Sequence, residues 1–377
     1  VPAFQLYKIS PYVSPSGLEA SPDHLDRKTW KRSLESAKRR AEEAARELVE
    51  LYAKREGLKG YAFPPDGELL ARFERTFSYD ETPDQLRAIE AIKRDMESPL
   101  PMDRLVVGDV GYGKTEIAMR AAFKAVEGGR QVAILVPTTL LAQQHYATFK
   151  SRLVGFPVSV EVLSRFVPQR RQAQILRDVE EGKVDILIDT HRLLQRDVRF
   201  KDLGLVIIDE EHRFGVKHKE YLKKMKSQVD VLAISATPIP RTLHMALSGL
   251  RDISVIATPP KNRRPVITVV NPWRDELVKK AIVREIARGG QVIFIHNRVQ
   301  SIKECAARLR ALLPSARIGI AHGQMEEGRL DKVMVDFLDG KLDVLVCTTI
   351  VESGLDIARA NTLIVDDARR LGLAQLY

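Results

Sequence analysis

Cysteine is almost missing. Cys305 and Cys347 are the only two in 377 residues, too few for a disulfide framework or a thiolate zinc site. A reducing, cytoplasmic setting fits that count. No apolar run approaches the roughly 20 residues needed to cross a bilayer as a helix, so a membrane is not expected among the partners. The start, Val1-Pro2-Ala3-Phe4-Gln5, has no basic n-region, apolar h-region or cleavage site, and no secretory signal is read there. An initiator methionine is also absent, and we expect a piece of a longer polypeptide. What is present is positive charge: 60 Lys and Arg against 50 Asp and Glu, a net +10 with a pI near 9.5. That excess favours a polyanionic partner such as nucleic acid, although generic surface charge gives the same number. A chain of this length is expected to form two or three domains, each with its own core.

The most informative stretch is Gly108-Asp109-Val110-Gly111-Tyr112-Gly113-Lys114-Thr115, a complete G-x-x-x-x-G-K-T phosphate loop. It follows the apolar run Leu105-Val106-Val107 and leads into a helix-like stretch from Thr115 to Lys124. Glycines let successive backbone N–H groups curl around phosphate oxygens, and the helix N-terminus adds positive potential. Lys114 is placed to bridge the β- and γ-phosphates of ATP, and the Thr115 hydroxyl to ligate Mg2+. A second element, Asp209-Glu210-Glu211-His212, ends the apolar run Leu205-Val206-Ile207-Ile208. Ligands gather at the carboxyl ends of strands in a parallel sheet, so these acids are expected to face the phosphate loop. Asp209 would hold Mg2+ and Glu210 would polarise the attacking water. Upstream, Gln85 of Thr82-Pro83-Asp84-Gln85 can read the adenine edge and Phe77 can stack on its face. Helix capping by Thr82 before Pro83 is compatible with that role.

Residues 1–20 hold short β-like pieces among Pro11, Pro15 and Gly17, too little to fold alone, and read as the end of a small β domain. Ser21-Pro22 then offers an N-cap with proline at N1, and Gly57 a terminating glycine. Between them Trp30, Leu34, Ala37, Ala41, Ala44, Leu48 and Leu51 form a narrow apolar seam. We expect a long linker helix over 21–57, a strut between domains. A basic helix gripping nucleic acid is the alternative, weakened by the interspersed acids. From about residue 85, short apolar runs (Leu105–Val107, Val132–Val136, Val184–Ile188, Leu205–Ile208, Val231–Ile234) alternate with helical periodicity. That is the signature of a parallel sheet with helices on both faces. After the Pro/Lys/Arg-rich stretch Thr258–Pro265 comes a second series, Val292–Ile295, Ile318–Ala321, Val344–Cys347 and Leu363–Val365. Two tandem α/β lobes follow, 58–260 and 261–377, the second one truncated.

Further segments complete a recognisable set. Val136-Pro137-Thr138-Thr139-Leu140-Leu141-Ala142-Gln143-Gln144-His145, the Asp209–Val216 segment and Ser235-Ala236-Thr237-Pro238 resemble superfamily 2 helicase motifs. So do His296-Asn297-Arg298-Val299, Ala321-His322-Gly323-Gln324-Met325 and Thr348–Ile357 in the second half. Among such helicases the set is similar to bacterial transcription-repair coupling factors (Mfd) more than to the fork remodeller RecG. Gly108–Thr115, Leu243–Gly249 and Phe4–Ser10 favour the former. The resemblance implies two RecA-like lobes and ATP-driven translocation on double-stranded DNA. It implies displacement of a stalled RNA polymerase, docked through its β subunit on the 1–20 region, and recruitment of excision-repair proteins through segments absent here. It adds His212, Gly354 and Asp356 to the nucleotide site. Thr138, Thr139, Thr190, His191, Arg192, Asn297, Arg298, Gln324, Thr348 and Thr349 are the DNA-binding candidates, suited to the phosphate backbone. Each of these serves equally as a loop cap or turn. A RecG-like remodeller, or a nucleotide-responsive polymerase-binding module without motor activity, is the alternative function.

Two departures stand out. Asp189 occupies a position where that family's I-G-T-H-R pattern has glycine, and an acid beside a DNA-contacting loop is expected to repel phosphate. The segment Leu373–Tyr377 lies where the family continues into an arginine-rich motif carrying its arginine finger. A finger of that kind is worth on the order of 10³ to 10⁵ in turnover, so the chain as given is expected to bind ATP and hydrolyse it feebly.

Overall fold

The computed structural model describes residues 35–36, 39, 60–195, 197–211, 214, 229–236, 251–261, 263, 266–349 and 354–372. The 1–20 region thus lies outside the described residues. Of the helix expected over 21–57, only Glu35, Ser36 and Arg39 are described, and they are helical.

Two parallel sheets organise the rest. The first half runs α1 (Glu68–Arg75), α2 (Pro83–Glu97), β1 (Asp103–Gly108), α3 (Lys114–Glu127), β2 (Gln131–Leu135), α4 (Thr139–Arg152), β3 (Val160–Leu163), α5 (Gln169–Glu180), β4 (Ile186–Asp189), β5 (Leu203–Asp209), β6 (Asp230–Ser235) and β7 (Asp252–Ile256). Its seven strands lie in the order β3-β4-β2-β5-β6-β1-β7. The second half contributes α6 (Asp275–Ala287), β8 (Gln291–His296), α7 (Ile302–Leu312), β9 (Ile318–Ala321), α8 (Glu327–Leu338), β10 (Val344–Cys347) and β11 (Ala360–Asp366). Its four strands are ordered β11-β8-β10-β9. The fold is the expected pair of α/β lobes built on parallel sheets. None of the helices among the described residues is long and apolar enough to cross a membrane.

The strand pattern dictates this layering. Alternate residues of one strand point to opposite faces. Val106, Ile134, Ile207 and Ile234 accordingly join a core with α2, α3 and α4. Their neighbours Leu105, Leu135, Ile208 and Ala233 join a second core that includes Ile175 and Val179 of α5. Lobe 2 repeats the device, with Phe294 and Val346 packed on α6 and α7, and Leu345 and Cys347 facing Met334 and Phe337 of α8. Leu140 of α4 enters that last cluster, so the two lobes share apolar contact.

The site depends on which strands are adjacent. In lobe 1, β6 separates β1 from β5, with Val107 opposite Ser235 and Asp209 opposite Ile234. All these strands end at one sheet edge, and the phosphate loop, Ser235 and the acidic pair emerge there together.

Candidate functional site

Gly111 and Gly113 hold the phosphate loop open at φ of +75° and +76°, a region L side chains rarely enter. Gly113 is also the N-cap of α3, so its orphan N–H groups face the space the loop encloses. Lys114 curls back over the loop, its Nζ donating to the carbonyls of Gly108 (2.6 Å) and Asp109 (2.9 Å). Burial pulls the Lys114 pKa below the usual lysine range, although the charges of Glu210, Asp209 and Asp109 act on the same ammonium in the opposite sense. Lysine and acids therefore lie within electrostatic reach of one another.

Glu210 is held in place from β6. Its Oε2 accepts from Ser235 Oγ (2.7 Å) and its Oε1 from the Ala236 N–H (3.0 Å). It adopts φ +49°, in the left-handed region. For a non-glycine residue that costs about 1–2 kcal/mol, and a backbone bond from Glu210 N to Ile234 O (2.9 Å) secures it. Asp209 Oδ2 meets His145 Nε2 of α4 at 3.1 Å. His145 ends the Val136–His145 motif, and the sequence alone gives it no role. The contact spans 64 positions and leaves no local pattern. Asp209 and Thr115 offer carboxylate and hydroxyl oxygens beside the phosphate loop, hard donors of the kind Mg2+ takes.

Gln85 braces the loop. Thr82 and Gln85 form a capping box at the start of α2, with Gln85 Oε1 accepting from Thr82 N (2.8 Å). The other end of the amide donates to Tyr112 O (2.8 Å). Both ends of this side chain, assigned to adenine from sequence, are thus engaged inside the protein. The Phe77 ring is likewise engaged: the Arg120 guanidinium lies 5.2 Å over it and Tyr79 meets it edge-on at 5.6 Å. His212 lies outside the described residues.

The DNA candidates gather at the carboxyl ends of both sheets with unequal freedom. Thr138 caps α4, accepting from Leu141 N, and Thr139 opens that helix. Thr190 donates its hydroxyl to Asp189 Oδ1 (3.3 Å), and Arg192 is engaged by Gln172 and Asp197. The side chain of His191 is outside the described residues. In lobe 2, β8 and β10 are neighbours, and Thr349 Oγ1 donates to Asn297 Oδ1 across them (3.1 Å). Arg298 leans toward Asp367 (3.5 Å) and Gln324 is exposed. Thr348 is buried, its hydroxyl enclosed behind this row. The expectation for Asp189 needs correction: it is 1% exposed, not presented to a polyanion, and burial pushes its pKa up to about 7.

The lobes meet along α4 and the loop after β3. Gln144 donates to Asp356 O and accepts from Asp356 N, both at 3.2 Å. Gly354 turns at φ +99°, with Leu141 beside it. The Arg165 guanidinium grips both carboxylate oxygens of Asp331 on α8, at 2.7 and 2.8 Å.

The chain is similar to known helicases. Residues 82–246 match the DEAD/DEAH box helicase family, and residues 273–376 the helicase conserved C-terminal domain. The whole chain is 53% identical to the transcription-repair-coupling factors of Bacillus subtilis and Escherichia coli, covering 32% and 33% of their lengths. It spans about a third of those relatives. A structure of RecG bound to a three-way DNA junction aligns with TM-score 0.74 and 35% identity, covering 87% of this chain and 46% of that one. A Mycobacterium smegmatis Lhr helicase structure shares the fold at TM-score 0.58 and 20% identity, over 79% of this chain and 43% of that one.

Proposed function

This chain belongs to the superfamily 2 helicases, in the branch of the transcription-repair-coupling factors, and from that premise we propose that it is an ATP-driven motor core that moves along double-stranded DNA. In the whole protein this core would displace a stalled RNA polymerase and call in nucleotide excision repair. The observation that carries the reading is the convergence of Lys114, Asp209 and Glu210 at one sheet edge, with Glu210 clamped by Ser235 and Ala236.

The chemistry follows from those positions. Lys114 exchanges the Gly108 and Asp109 carbonyls for phosphate oxygens. Asp209 and Thr115 would hold Mg2+, which supplies charge neutralisation to the transferring phosphoryl group. Glu210 orients the attacking water. Through its bonds to Ser235 and Ala236, Glu210 would tie the phosphate state of the site to the carboxyl end of β6. Gly354 and Asp356 meet α4 of lobe 1 at Leu141 and Gln144 and would join the nucleotide site from lobe 2, while the polar groups at both sheet edges would track the DNA backbone.

Lys114→Ala tests the reading. The variant should lose tight binding of Mg2+ and ATP in isothermal titration while its circular dichroism stays that of the parent. Unchanged ATP affinity would sink the nucleotide site. A pull-down with the RNA polymerase β subunit tests the partner. The RecG-like alternative is the weaker one, since 35% identity to RecG stands against 53% to the coupling factors.

A further inference from the structure

The stretch joining the lobes is fastened to the nucleotide side of lobe 1 by three carboxylates. Asp84 Oδ2 accepts from the backbone N–H groups of Ala257 (2.9 Å) and Thr258 (2.7 Å). Asp80 pairs with Lys261 at 2.8 Å, and Asp109 with Arg263 at 2.8 Å. Two of these three acids belong to the nucleotide machinery: Asp84 adjoins Gln85, which holds Tyr112 O, and Asp109 lies within the phosphate loop.

Arg263 touches that loop twice. Besides the ion pair, its guanidinium lies 4.7 Å over the Tyr112 ring. Asp109 is fixed from its own side, with Oδ1 accepting from the Val110 N–H at 2.8 Å, so Oδ2 is the oxygen turned to the linker. A carboxylate inside a phosphate-binding loop opposes an incoming polyanion unless a cation offsets it. Burial would push the Asp109 carboxyl up, yet Arg263, the Val110 N–H and the Lys114 charge hold it below the usual range. It is an anion next to the place where phosphates must arrive.

We propose that Arg263 is a positioning residue of the nucleotide site, delivered by the linker between lobes, which neutralises Asp109 and braces Tyr112. The loop form that accepts a triphosphate and the docked path of the linker are then one state. Coupling of this kind is reciprocal: nucleotide holds the linker down, and lifting the linker weakens nucleotide binding by the same factor. The proposal rests on the phosphate-loop reading above and goes beyond it by joining occupancy to the inter-lobe segment.

The experiment uses this chain, Mg2+ with a slowly hydrolysed ATP analogue, titration calorimetry, and hydrogen–deuterium exchange of the 257–263 amides. In the parent, nucleotide should slow exchange in that segment. Arg263→Gln should bind the analogue roughly 3- to 10-fold more weakly, the scale of one ion pair plus one ring contact. Its 257–263 exchange should be fast and unresponsive, with exchange in β2 and β4 unchanged. Arg263→Lys should fall between the two, keeping charge but losing the planar fork. In an Asp109→Asn background the penalty of Arg263→Gln should shrink by at least half, because the anion to be neutralised is gone. Parent-like affinity and linker protection in Arg263→Gln, or an equal penalty with and without Asp109, overturns the proposal. Lys114→Ala separates the two ideas: if it binds the analogue as the parent does, the nucleotide site itself is misplaced. If it abolishes binding while Arg263→Gln changes nothing, the linker role alone is wrong.

Discussion

Asp189 carries a carboxyl group into the end of β4 with 1% of its surface exposed. Its Oδ1 accepts the Thr190 N–H, while its Oδ2 is enclosed without a hydrogen-bond partner among the described residues. Burial disfavours the charged form and pushes the pKa from 3.8 to about 7. Between roughly pH 4 and 7 the folded chain therefore keeps a proton that the unfolded chain has released. Stability from this group is complete below the unfolded pKa and is lost as pH rises through the folded one. Asn is nearly isosteric with the protonated acid and does not titrate. The stability advantage of Asp189→Asn over the parent should grow by roughly 2–3 kcal/mol from pH 5 to pH 8, measured by urea denaturation at both; a constant difference would refute the buried-acid account. His145 makes a second residue-scale case. It touches Asp209, the carboxylate proposed to hold Mg2+, and losing a partner that orients such a ligand typically costs about 10-fold or more in metal affinity. His145→Ala should raise the Mg2+ needed for half-maximal ATP binding by that factor, read from titrations at graded Mg2+. An unchanged Mg2+ requirement would leave His145 with a packing role alone.

The phosphate loop and α2 behave as one element because Gln85 spans them. A Cβ added at Gly113 would lie 2.4 Å from Gln85 Nε2, at a φ of +76°. Gly113→Ala thus meets a left-handed penalty of about 1–2 kcal/mol as well as the clash with Gln85. ATP affinity should fall by more than about tenfold, the equivalent of 1.4 kcal/mol, with far-ultraviolet dichroism retained. Binding within twofold of the parent would contradict the bracing role of Gln85. The same elements show what a sequence reveals. Central strands such as β2 and β5 are buried on both faces, so they read as unbroken apolar runs, and the phosphate loop and acidic pair are local words beside them. Edge strands β3 and β7 do not stand out in the sequence. Each has a half-exposed pattern, and Asp252–Ile256 mixes polar with apolar positions, so neither makes a run. His145 and Arg263 are not legible for another reason: their partners lie far along the chain, and pairing at that range leaves no periodicity. In Gln85 a two-ended amide is legible in the sequence, but only three-dimensional packing shows that its ends bond Thr82 and Tyr112.

At the scale of the whole molecule, two lobes are joined where α4 and the loop after β3 meet lobe 2, through Gln144 with Asp356 and Arg165 with Asp331. Among the DNA candidates, exposed Asn297, Arg298 and Gln324 and half-buried Thr349 lie on loops at the carboxyl edge of the lobe 2 sheet, while half-buried Thr138, Thr139 and Thr190 occupy the equivalent edge of lobe 1. Thr348, buried behind them, is the exception. Hydroxyls and amides at such loop ends can hydrogen-bond phosphate oxygens, contacts that carry no sequence information, while the net +10 charge draws a polyanion toward them. Affinity for duplex DNA should accordingly be steeply salt-dependent and indifferent to sequence. Each phosphate neutralised by a Lys or Arg adds about 0.9 to the slope of log K against log salt, so six such ion pairs would cost roughly a thousandfold between 50 and 200 mM. Fluorescence anisotropy on two duplexes of equal length and unrelated sequence, each with and without an ATP analogue, measures both properties. A slope below about two, the signature of two contacts or fewer, would remove backbone tracking as the basis of a motor. A steep slope that does not change with nucleotide would keep the DNA grip and sever it from the ATP site.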